Sequence, residues 1–210
     1  MLKTALTVLL TLSLAIGGGA ASVWYVLAGQ SGTGALTIGS WTAFPKIGAP
    51  DADPYSKARV SREGVLALGS AEGVAFTAVE DSTGRPLRLE CNYRIEGIAP
   101  PARFWTLFAE RRGSASMGVT ETGRLSALNS QGVVRRSDNT FAVTVARSAM
   151  SGNWLGVSGA GPMAVVLTVY DSTVAAGADL AEASMPEIVP LGCEQASPDT
   201  SKDEVVSDAR

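Results

Sequence analysis

Hydrophobic and polar positions follow different patterns along this chain. From Ala5 to Ala28 (ALTVLLTLSLAIGGGAASVWYVLA) the run is almost wholly apolar, and no charge falls between Lys3 and Lys46. About 20 predominantly apolar residues suffice to cross the hydrocarbon core of a bilayer as a helix. A helix also satisfies its own backbone polar groups there. The run therefore predicts a transmembrane anchor over residues 1–28, in contact with the membrane through residues 4–28. Trp24 and Tyr25 fall near its far end, where aromatic rings favour the interface. The alternative is a cleaved signal peptide with Gly19-Ala20-Ala21 as its cleavage site. Against it, the run exceeds the usual signal length of about 7–15 apolar residues and resumes at Val23.

A different pattern follows. Residues 29–35, opening with GQSGTG, read as a flexible linker. Leu36 to Phe44 can hold a first short strand with Trp41 in the core or at its rim. Asp53-Pro54 supplies an N-cap followed by proline at the first helical position, which predicts a short helix near 54–62. From Gly73 the period becomes two. Val74, Phe76 and Ala78 alternate with their neighbours, and DSTGRP (Asp81–Pro86) supplies turn residues. Leu87, Leu89, Cys91, Tyr93 and Ile95 then face one way while charged and polar residues face the other. This predicts a half-buried strand, and the two segments together read as a hairpin. Pro100-Pro101 forces an extended link.

RFWTLFA (Arg103–Ala109) is strand-like. Short strands are expected near 124–129 and 132–135, and another at Phe141–Val145. Ser151–Leu155 reads as a loop, followed by GVSGAG. MAVVLTVY (Met163–Tyr170) predicts a strand buried on both faces. Pro186 and Pro190 limit Leu180–Leu191 to an edge strand. Residues 194–210 form an acidic, polar tail that lacks the apolar surface to offset ordering entropy, which predicts disorder. Short strands, frequent turns and little helix predict an all-β, antiparallel sandwich or barrel over residues 36–193.

The segments DADPYSKARVSREG (Asp51–Gly64), AEGVAFTA (Ala71–Ala78), PPARFWTL (Pro100–Leu107), GNWL (Gly152–Leu155) and LTVYDS (Leu167–Ser172) occur in a consistent order. Together they resemble the bacterial family called domain of unknown function 1214, over roughly Leu36 to Cys193. The resemblance implies a jelly-roll-like β-sandwich in a membrane-anchored envelope protein. It also implies a protein partner from a sister family, domain of unknown function 1254. Members often carry proline after GNWL and arginine two residues before the tyrosine; this chain has Gly156 and Thr168 there. No catalytic residue carries over from the family.

Composition narrows the chemistry. The 210 residues include no histidine and two cysteines. That excludes Ser-His-Asp and Cys-His nucleophilic sites, a histidine base and histidine-bearing zinc sites. Two cysteines are too few for a structural zinc site, and no metal or cofactor is expected. In an oxidising envelope Cys91 and Cys193 read as one disulfide, reached from the core side or at a sheet end. The formal net charge of −3 leaves no electrostatic footprint for nucleic acid. Lys3 and the amino terminus are the only positive charges beside the apolar run. They favour a cytoplasmic start in the bacterial inner membrane, with the sandwich in the periplasm.

Two binding chemistries remain. Trp154 could stack on a sugar ring, with Asn153 and Asp171 hydrogen-bonding to it; the alternative is a tryptophan that plugs the end of the sandwich. A carboxylate pair is the other. Glu90 and Glu96 share a strand face, but lie about 20 Å apart at roughly 3.3 Å per residue, beyond glycosidase spacing. Glu72 and Asp171 would have to converge in space. The sequence thus favours a non-catalytic envelope module that binds or scaffolds a partner, ahead of a carbohydrate-binding sandwich and a carboxylate-dependent enzyme.

Overall fold

The computed structural model describes residues 2–28, 34–63, 68–69, 72–112, 127–171 and 183–193. The linker expected at 29–35 lies mostly outside these residues, and the tail at 194–210 wholly so. Helix α1 spans Leu2–Ala28. Within it Leu2–Tyr25 has a mean hydropathy of 1.8, and none of that window is buried against the rest of the protein. At 1.5 Å per residue these 24 residues reach about 36 Å, more than the roughly 30 Å hydrocarbon core. The helix is long and apolar enough to cross a membrane, a test that a signal sequence also passes.

Helix α2 spans Pro54–Glu63, as Asp53-Pro54 predicts. Asp53 caps it. Its Oδ1 accepts from the N–H groups of Tyr55 (2.9 Å) and Ser56 (3.1 Å), and its Oδ2 accepts from the Ser56 hydroxyl (2.6 Å). Hydrogen bonding from Ser56, first through its hydroxyl and then its N–H, holds the Asp53 carboxyl below its ordinary range.

The remaining elements are strands: β1 Leu36–Ile38, β2 Trp41–Ala43, β3 Gly73–Ala78, β4 Cys91–Gly97, β5 Phe104–Arg111, β6 Ala127–Asn129, β7 Phe141–Ala146, β8 Asn153–Gly156, β9 Met163–Tyr170 and β10 Glu187–Cys193. They form a six-stranded sheet in the order β1-β2-β3-β9-β5-β6 and a four-stranded sheet in the order β10-β4-β7-β8. Their inward faces share one core. Trp41, Phe76, Leu107 and Leu167 come from the first sheet; Tyr93, Ile95, Val143, Leu155 and Ile188 come from the second. Of the sandwich or barrel that the strand spacing allows, the sandwich implied by the family resemblance is what forms.

β9 is the centre of the larger sheet, hydrogen-bonded along its length to β3 on one side and β5 on the other. Seven of its eight residues are buried, as its unbroken apolar run predicts. Gly73 opens β3 where a Cβ would collide with the Val169 carbonyl, so only glycine fits there.

Four expectations change. The region 36–44 is two strands rather than one, turned at Gly39-Ser40. The segments around 74–79 and 87–96 pair only beside the turn, where Glu80 bridges Pro86 and Leu87 N–H donates to Val79 O at 2.8 Å, and the hairpin goes no further. β3 belongs to the six-stranded sheet and β4 to the four-stranded one. The Leu87 carbonyl and the Leu89 N–H bond across to 161–163, and a turn from Arg88 to Cys91 carries the chain between sheets. The strict alternation is real in burial, because both sheets face the same core and the inward side stays inward through the crossing. At 132–135, Arg135 bridges to Phe141 without forming a strand. Finally, Asn153–Leu155 is strand rather than loop. It pairs parallel to β7, the one parallel pair among the described strands.

That parallel pair is joined by only six residues, 147–152. Parallel neighbours ordinarily need a dozen or more. Here the overlap is four residues, so the chain must return only about 13 Å, and six extended residues reach about 20 Å. Hydrogen bonds from Val157 N–H and from the Trp154 indole N–H, both to the Ala146 carbonyl, close the far end.

Candidate functional site

Asn153 is committed to the fold. Its Oδ1 accepts from Val134 N–H (2.8 Å), and its Nδ2 donates to the carbonyls of Val134 (2.8 Å) and Ala142 (3.0 Å). The side-chain amide stands in for a strand neighbour, tying the segment before β7 to β8. Trp154 is half-buried and donates its indole N–H to Ala146 O at 3.0 Å. Successive strand residues point to opposite faces, so these two side chains diverge. The indole face is what remains for stacking.

Asp171 lies off the end of β9, in the other sheet, with a left-handed φ of 48°. Its carboxylate is 3.5 Å from the Arg103 guanidinium, and both side chains are largely exposed, so the pair contributes little to stability. Its N–H donates to Glu72 O (3.2 Å). The backbones of Glu72 and Asp171 therefore do converge, as a carboxylate pair would require. Their acids turn to different partners, however: Glu72 Oε2 accepts from Gly69 N–H at 3.1 Å. The described partners of Asn153, Trp154 and Asp171 have no residue in common.

Cys91 opens β4 and Cys193 closes β10, directly opposite one another in register. Their sulfurs are 1.98 Å apart, at disulfide distance. The contact forms at a sheet end, one of the two approaches the sequence allows.

The densest polar grouping is one that the alternation pattern hides. Residues 81–93, which carry the chain between the sheets, hold Asp81, Arg85, Arg88, Glu90 and Tyr93. Asp81 Oδ1 accepts from the N–H groups of Thr83 (2.8 Å) and Arg85 (3.1 Å) and from the Thr83 hydroxyl. Arg85 Nε lies 3.4 Å from Oδ2. Burial opposes ionisation of Asp81, but these hydrogen bonds and the Arg85 charge outweigh it and hold the carboxyl low. Glu90 Oε1 accepts from Arg88 Nη2 and from Gly161 N–H, both at 3.0 Å, while Oε2 is enclosed with no partner. Burial again opposes ionisation. Its own N–H, that of Gly161 and Arg88 prevail, so Glu90 too stays ionised.

Tyr93 accepts the Arg88 N–H at 2.9 Å. Burial, chiefly, raises its hydroxyl pKa; the Arg88 hydrogen bond works against this and the negative charges of Asp81 and Glu90 add to it. The facing loop reaches this polar grouping through Gly161 and separately holds Arg111. Arg111 Nη1 donates to Ala160 O, and a Cβ on Gly159 (φ 88°) would strike the same guanidinium. The turn character of DSTGR is readable from sequence, but the enclosure of Asp81 depends on the crossing between sheets. No group of three or more potential metal ligands occurs among the described residues.

No curated protein matches the chain. Among solved structures it is similar to the VPA0106 protein of Vibrio parahaemolyticus, with 20% identity and a TM-score of 0.54, over 67% of this chain and 36% of that one. A putative uncharacterized protein from Burkholderia cenocepacia shares 14% identity over 89% of this chain and 53% of its own, with a TM-score of 0.38. The chain thus spans about a third of the Vibrio protein and about half of the Burkholderia one. The Vibrio likeness supports the sandwich fold and nothing finer. A family model matches residues 72–174, the stretch from β3 through β9. Over those residues, just under half of the chain, it matches the family described as protein of unknown function (DUF1214).

Proposed function

We propose that this protein is a non-catalytic module of the bacterial cell envelope. In this reading α1 anchors it in the inner membrane with its amino terminus in the cytoplasm, and the periplasmic sandwich binds or scaffolds a partner protein. The observation that carries the reading is α1, whose predominantly apolar stretch Leu2–Tyr25 is unburied while the strands of both sheets share one core. An apolar helix of that length left in water would be costly, at about 25 cal/mol per Å² of apolar surface. Lys3 in the first turn of the helix supports the orientation. The cysteine pair supports an oxidising compartment. The side chains of Asn153 and Asp81, each with three hydrogen bonds, serve the fold, which favours binding over catalysis. The partner expected from the family resemblance belongs to domain of unknown function 1254.

The test is co-purification of the tagged full chain from envelope membranes in mild detergent. One stoichiometric protein partner, retained through gel filtration, is the expected result. A chain that elutes alone, and that turns over a glycan substrate, would replace this reading with the enzymatic one.

A further inference from the structure

Helix α2 meets the end of α1. The guanidinium of Arg62 lies over the Trp24 indole, 4.8 Å from the ring centroid. Trp24 and Tyr25 are both strongly exposed, as befits aromatic residues that end a span at headgroup level. Whatever touches Trp24 sits at that level too. Within α2, Pro54, Tyr55, Lys57, Ser61 and Arg62 are exposed, while Ser56 and Arg59 are buried. At about 100° per residue the five exposed positions fall within an arc of roughly 160°.

That arc carries two cations, a phenol and no acid. Of the two acids adjoining it in sequence, Asp53 is turned onto the helix N-terminus as its cap, and position 63, a glutamate, falls on the opposite side of the helix at about 100° per residue. Arg59, on the buried side, stacks over Phe44 at 4.6 Å. A protein with a formal net charge of −3 thus presents a cationic, aromatic face beside the end of its own span. We propose that this face of α2 docks on the anionic phospholipid headgroups of the membrane that α1 crosses. The proposal rests on the anchor reading above. Each cation held within a Debye length of an anionic leaflet favours contact roughly fivefold, so Lys57 and Arg62 together supply about 25-fold.

The full chain in nanodiscs tests this by hydrogen exchange of the α2 amides. Discs containing phosphatidylglycerol should slow that exchange about tenfold or more relative to pure phosphatidylcholine discs. Exchange in β9 should stay unchanged. High salt and the K57E/R62E double variant should each abolish the difference, and R62K, which keeps the charge, should preserve it. Equal exchange in the two lipids, or protection by inorganic phosphate in phosphatidylcholine discs, overturns the proposal while leaving the anchor in place. Release of the wild-type chain from membranes by alkaline carbonate overturns the anchor, and the proposal with it.

Discussion

The carboxylate of Asp81 is almost sealed from water, its side chain 2% exposed, yet it stays ionised. Its folded pKa lies below the ordinary value of 3.8, so its contribution to stability is complete above that value. It fades as pH falls past 3.8 toward the folded pKa, because the unfolded chain then binds the proton first. D81N should lower unfolding free energy by about 1–3 kcal/mol at neutral pH. The gap to wild type should narrow as urea titrations move from about pH 7 to about pH 3. Asn153 works without charge. N153L would leave the N–H and carbonyl of Val134 and the carbonyl of Ala142 without this partner, at about 1–3 kcal/mol for each group that stays buried. Val134 is itself exposed, so water can take its place there, and a total of about 2 kcal/mol in urea unfolding is expected with no pH dependence. The two residues differ in legibility. DSTG announces a turn around Asp81, while nothing in GNW announces that the Asn153 amide pairs with a backbone 19 residues earlier.

At the level of elements, β10 is the piece most dependent on a covalent tie. It is an edge strand carrying Pro190, with a register shift between Pro190 and Gly192, so its hydrogen bonding to β4 is interrupted just before Cys193. The link to Cys91 closes a loop with a sequence separation of 102. In the chain-entropy model such a loop stabilises by up to about 4.7 kcal/mol. C193S should therefore cost about 2–5 kcal/mol in urea unfolding. Non-reduced wild-type chain should also run faster on gels than reduced chain. Equal mobility, with both thiols open to alkylation, would contradict the tie. Elements whose pattern is local were readable: α2 from its cap, β9 from its unbroken apolar run and the β10 edge from its prolines. The partnerships of β3, β4 and β8 were not. Alternation specifies which side of a strand is buried, and both sheets bury the same side.

Across the whole molecule, the all-β class followed from counting short strands and turns, the choice of sandwich over barrel from the family resemblance, and α1 from one uncharged run. The split into six and four strands did not, because it depends on the crossing at Arg88–Cys91, where pairing changes without any break in the burial pattern. The grouping of Asn153, Trp154 and Asp171 into one binding set assumed a loop at 151–155. A strand sends the first two to opposite faces, and the third belongs to the other sheet.

The register of β9 has a further consequence, in time. Its partner β3 is made some 90 residues earlier. At ordinary rates of synthesis, about 5–20 residues per second, β3 waits on the order of 5 to 20 seconds for the neighbour that completes it. β4 waits a similar interval for β10, 102 residues on. A ribosome that stalls before Met163 leaves β3 and β5 without the strand that lies between them.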